Sequence, residues 1–63
     1  MTPKRIVRIR EALGLTQQQL ADRLGAQQPT VARWETGANQ PKGAYLKLLR
    51  ELEERSVSKG NKK

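Results

Sequence analysis

The densest cluster of groups able to do acid–base chemistry is Glu51, Glu53 and Glu54. Paired carboxylates can act as general acid and base. The rest of the chain offers such a pair little help. It contains no histidine, the commonest general base and metal ligand, and no cysteine to serve as thiolate ligand or disulfide. The three glutamates therefore read as the solvated end of a helix, and no catalytic residue, metal site or cofactor is expected. What the chain does offer in quantity is positive charge. Thirteen Lys and Arg against six Asp and Glu leave a net charge of +7. Residues 1–15 carry a net +3, residues 16–37 are neutral and residues 38–63 carry +4. That balance points to a polyanionic partner, although a merely well-solvated surface can carry as much charge.

Such groups need a scaffold, and 63 residues provide one small domain. A domain this size buries only about 60% of the surface its unfolded chain exposes. With 35% of residues apolar, its core has little to spare. The longest apolar runs are two or three residues, such as Ala44-Tyr45-Leu46, which excludes a membrane span or a signal-peptide core. Pro3, Gly14, Gly25, Gly37, Pro41 and Gly43 divide the chain into four segments of helical composition, with no alternating run suited to a strand.

The first helix spans about 2–13, with Thr2 as cap, Pro3 at the first helical position and Ile6, Ile9 and Leu13 facing inward. The second starts at Thr16, which forms a capping box with Gln19, while Leu15 and Leu20 form a hydrophobic staple. Leu20, Ala21 and Leu24 are its inner face and Gly25 stops it. The third has Gln27 as its cap, with Pro29 in its first turn, Val31 and Trp34 inward, and Gly37 at its end. Trp34, at that spacing, is a core residue rather than a stacking platform for a base. The fourth spans about 42–55 with Tyr45, Leu48, Leu49 and Leu52 as its apolar stripe. Residues 56–63 show no periodicity and are expected to form a disordered basic tail, with Lys59, Lys62 and Lys63. Two short helices joined at Gly25-Ala26 have the form of a helix-turn-helix over residues 16–36.

Individual residues sharpen that pattern. Gly14-Leu15-Thr16-Gln17, Leu20-Ala21, Leu24-Gly25, Thr30-Val31, Arg33-Trp34-Glu35, Gly37 and Pro41 together closely resemble the lambda-repressor-like, Cro-type (XRE) helix-turn-helix family of DNA-binding domains. The resemblance spans roughly 5–52. It implies an all-α, compact bundle of four helices, or five as in many members, with the third helix lying in the DNA major groove. Three positions depart from the family pattern. Ala38 stands where a basic residue is common, Gln27 where Ser or Thr usually caps, and no fifth helix is recognisable.

By this resemblance Gln28, Pro29, Ala32 and Arg33 contact base edges and Gln17 a phosphate, as suits a helix N-terminus. Gln27, and Asn39, Gln40 and Lys42 in and just after the loop beyond helix three, are expected to contact phosphates as well. Arg33 lies about 200° from Val31 around the helix, pointing away from the core. There it can donate two parallel hydrogen bonds to guanine O6 and N7. Gln28 can pair similarly with adenine, and Pro29 can pack on a thymine methyl. Arg10 lies about 40° from Ile6 on the first helix, and Glu35 about 40° from Val31 on the third. Two charges on inner faces each need a partner, so they are expected to form a structural ion pair, as similar domains do.

The implied function is sequence-specific binding of double-stranded DNA by a transcriptional regulator, most simply a repressor on a palindromic operator. The implied setting is the cytoplasm and nucleoid of a bacterial or phage-infected cell. Without a fifth helix, a weak homodimer formed on DNA through the end of helix four is expected, with no membrane and no small-molecule ligand. An antitoxin that binds DNA remains an alternative, as does a protein-interaction module of the same fold. An enzyme has no support in the sequence.

Overall fold

The computed structural model describes the backbone of residues 1–61 and the side chains of residues 1–56. Within them the chain forms four helices and no strand: α1 (Pro3–Ala12), α2 (Gln17–Leu24), α3 (Gln28–Thr36) and α4 (Ala44–Asn61).

Local chemistry sets the first three boundaries. The Thr2 hydroxyl accepts the Arg5 amide at 3.2 Å, and Pro3 opens α1 without wasting a helical donor. At Thr16 both arms of the capping box form, with Gln19 N–H donating to the threonine hydroxyl at 3.1 Å and Thr16 N–H donating to Gln19 Oε1 at 2.9 Å. Gly25 (φ 74°) and Gly37 (φ 88°) close α2 and α3 in the left-handed region, which costs any residue with a Cβ roughly 1–2 kcal/mol. Gln27 precedes α3 in extended conformation but makes no side-chain cap bond. Its amide is too long to fold back as Ser or Thr would, so Pro29 rather than a cap favours this start.

The core is one cluster. Ile6 from α1, Leu20, Ala21 and Leu24 from α2, Val31 and Trp34 from α3 and Leu49 from α4 are buried together, with Met1, Leu15, Ala26, Tyr45 and Leu52 packed against them. Ile9 and Pro41 are buried as well. The most extensive contact is between α2 and α3, α1 packs on both α3 and α4, and α4 makes a smaller contact with α2.

Two expectations about α4 need correction. Leu48, assigned to the core, is 36% exposed. Tyr45, Leu49 and Leu52 define the inward stripe, and Leu48 lies about 100° from Leu49, beyond the edge that α1 and α2 cover. Leu13, at the end of α1, is likewise only half-buried. The second correction concerns length. The helix does not end near Arg55 but continues to Asn61. No proline interrupts this stretch, the Ser56 hydroxyl bonds back to the Glu53 carbonyl at 2.9 Å, and a lone Gly60 costs a helix only about 1 kcal/mol. Lys62 and Lys63 lie outside the described residues, as does the side chain of Lys59.

Candidate nucleic-acid interface

The outer face of α3 carries Pro29, Arg33 and Thr36, all exposed, with half-buried Gln28 and Ala32 at its margin toward α2. Arg33 is anchored only through its backbone. Its carbonyl accepts the Ala38 amide at 3.0 Å, the Asn39 amide at 3.3 Å and the Thr36 hydroxyl at 3.1 Å, which ties the following loop to the last turn of α3. Its guanidinium forms no ion pair among the described residues. A rigid backbone therefore presents a free, five-donor head to solvent.

One hydrogen-bonded chain runs through the base of this face. Arg10 Nε donates to Glu35 Oε2 at 2.7 Å, and Arg10 Nη2 donates to Glu35 Oε1 at 3.3 Å. Arg10 Nη1 donates to the Leu15 carbonyl at 3.1 Å. The same Glu35 Oε1 accepts Gln17 Nε2 at 2.9 Å, and Gln17 Oε1 in turn accepts Gln28 Nε2 at 2.6 Å. The ion pair is well shielded, with the Arg10 and Glu35 side chains 20% and 7% exposed. The hydrogen bond to Glu35 is the main reason the Arg10 guanidinium is held above its ordinary value, against a smaller opposing effect of burial. Four side chains from three helices thus lock the start of α2 to both ends of α3. Gln17 and Gln28 each retain one amide N–H for another partner.

The sequence placed Gln17 and Gln28 on separate tasks and did not foresee that they join. The available signal was that both occupy the first position of consecutive helices in a helix-turn-helix. On the opposite flank of α3 lies an open cleft of about 380 Å³ lined by Thr30, Trp34, Asn39, Gln40, Lys42 and Tyr45. It gathers Asn39, Gln40 and Lys42, while exposed Gln27 stands apart at the head of α3. Thr30 and Tyr45 are additions that sequence reasoning missed, because only the fold brings α4's first turn beside α3.

The acidic cluster stands elsewhere. Glu53 receives Arg5 Nε at 3.0 Å and Arg5 Nη2 at 2.6 Å, fastening α4 to α1. This bond, reinforced by the nearby charges of Arg5, Arg50 and Arg8, holds the Glu53 carboxyl below the ordinary carboxylate value despite some desolvation. Glu51 and Glu54 are exposed. Among the described residues no group of three His, Cys, Asp or Glu is arranged to hold a metal, and no helix is long and apolar enough to cross a membrane.

Comparison with curated proteins and with solved structures gave no match. A family model does match, and over the whole arrangement just described: helix-turn-helix, residues 6–53, from the middle of α1 to Glu53 on α4. The chain belongs to this Cro/C1-type helix-turn-helix family, a family of DNA-binding domains that serve transcription regulation.

Proposed function

We propose that this domain is a sequence-specific repressor that inserts α3 into the major groove of a palindromic operator. The observation that carries the reading is the free guanidinium of Arg33 on an exposed helix face whose base is locked by the Arg10–Glu35–Gln17–Gln28 chain. A preorganised donor fork suits guanine O6 and N7. Gln28 keeps its carbonyl and one N–H for adenine, Pro29 meets a thymine methyl, and Ala32 leaves room for the base edges between them. Gln17 and Gln27 take phosphate on one side of the groove, and Asn39, Gln40 and Lys42 on the other. Phosphate contacts of this kind set register, and base contacts set sequence.

A palindrome calls for a second copy. The patch that supports one lies on α4 and α2, where exposed Leu48 adjoins Leu24 and Leu52 between Arg23, Arg55 and Glu51. The patch carries charges of both signs beside its leucines, which suits the pairing of one surface with its own copy across a two-fold axis. Its small size fits a dimer that is weak until DNA aligns it. The setting that goes with this reading is the nucleoid DNA of a bacterial or phage-infected cell.

Duplexes selected from a random pool provide the test. Arg33→Ala is expected to cost about 1–3 kcal/mol on the selected site and to relax preference at one base pair. A uniform loss on every single-base variant, with a smaller salt slope, assigns Arg33 to phosphate instead. Failure of the wild-type domain to bind any duplex in a salt-dependent way leaves the protein-interaction reading standing.

A further inference from the structure

We infer that the hydroxyl of Tyr45 is a DNA phosphate donor, and that the cleft between α3 and the first turn of α4 seats one backbone phosphodiester. This rests on the proposed binding of α3 in the major groove. The cleft opens next to the α3 outer face: Thr30, on its wall, lies about 60° from Arg33 around the helix. Gln17 and Gln28 are tied together on the opposite flank. A helix of about 10–12 Å diameter fills a major groove about 12 Å wide, so its two flanks meet the two sugar–phosphate strands. The cleft is therefore placed to meet one of them.

Its chemistry is one-sided. Thr30 and Tyr45 bring hydroxyls, Asn39 and Gln40 amides, and Lys42 a positive charge, and no carboxylate lines the space. That set suits an anion and repels a cation. The tyrosine is the member best held in place. Its ring packs on the core and lies against Trp34, with ring centroids 5.4 Å apart and planes tilted by 56°. Trp34 is itself 3% exposed and fixed. The Tyr45 hydroxyl makes no hydrogen bond among the described residues and is not a buried unpaired atom, so it is open to solvent, on a side chain that lines the cleft. Asn39, Gln40 and Lys42 sit on exposed loop positions and must be ordered on binding, whereas Tyr45 loses almost no freedom.

Tyr45→Phe removes the hydroxyl and keeps the ring, so Trp34 retains its neighbour. A hydrogen bond to a charged oxygen predicts a loss of about tenfold in affinity, equal on all sequences at a fixed salt concentration. Because the lost group is neutral, the salt slope stays unchanged, whereas Lys42→Ala lowers it by about 0.9. Duplexes carrying a single methylphosphonate at successive positions locate the contact. One position that weakens wild-type binding is expected to have little further effect on Tyr45→Phe. Wild-type affinity in the variant overturns the inference while leaving DNA recognition intact. So does a loss confined to one base pair, or a loss matched by a fall in Tm. Absence of wild-type binding to any duplex removes the α3 reading and this inference together.

Discussion

Replacing Glu35 by alanine leaves Arg10 charged, four-fifths shielded and without its carboxylate. The substitution deletes bonds of 2.7 and 3.3 Å from Arg10 and one of 2.9 Å from Gln17. Hydrogen bonds to a charged group contribute about 1.5–3 kcal/mol each, and breaking a fully buried pair costs about 3–5 kcal/mol. Two features lower the figure here. Arg10 keeps its bond to the Leu15 carbonyl, and a fifth of its side chain can still be hydrated. The expected loss is about 2–4 kcal/mol, against a total stability of roughly 3–9 kcal/mol for a domain of this length. Each kcal/mol lowers Tm by about 4–8 °C, so the effect is large in a calorimetric or circular-dichroism melt. The double variant Arg10→Met with Glu35→Leu removes both charges and keeps apolar volume. It is expected to be more stable than Glu35→Ala alone and within about 1 kcal/mol of wild type. A double-mutant cycle built on Arg10→Met and Glu35→Leu then gives a coupling of about 1–3 kcal/mol. Single effects that add to within about 0.5 kcal/mol would refute the pair's role in setting α3 on α1.

Trp34→Ala empties the centre of the core and is expected to cost about 3–5 kcal/mol, enough to unfold much of the population; full quenching of native Trp34 fluorescence by iodide would contradict its burial. Thr16→Ala removes one arm of the capping box, with an expected cost of about 1 kcal/mol in a urea titration. Glu53 has its folded carboxyl depressed below the ordinary 4.5, mainly by the Arg5 hydrogen bond, so its contribution is present above the unfolded value and lost as pH falls through the folded one. Glu53→Gln is accordingly expected to flatten the acid side of the Tm-against-pH curve below about 4.5 and leave its neutral-to-basic shape unchanged, and an acid limb as steep as wild type would contradict this. Leu48→Lys, at a 36% exposed position, is expected to leave Tm nearly unchanged and to weaken paired occupancy of a palindromic site, read by gel shift.

Much of the fold was legible because its signals are local. Thr2 with Pro3, the Thr16–Gln19 box, Gly25 and Gly37 act over three or four residues, and the helices begin or end beside them. Apolar spacing in α1, α2 and α3 named buried Ile6, Ile9, Leu20, Leu24, Val31 and Trp34 for the same reason. In α4 that reasoning failed at Leu48. A run with Leu46, Leu48, Leu49 and Leu52 is apolar on more of its circumference than α1 and α2 can cover, and only their position decides which leucine is left outside.

The candidate interface divides in the same way. Residue types alone determined its chemistry: an excess of cations, no histidine or cysteine, and an arginine opposite the inward residues of a short helix. The tertiary structure decided the connections. The inner-face positions of Arg10 and Glu35 already point them at each other, but the joining of Gln17 and Gln28 to that pair depends on how α1, α2 and α3 cross. Tyr45 reaches the α3 flank because the turn after Gly37 brings α4's first turn back beside Trp34. Arg5 and Glu53, 48 residues apart, meet where α1 packs on α4. Capping and helical period act through neighbours along the chain, so sequence carries them; hydrogen bonds between helices depend on packing angles that arise only when the whole core closes.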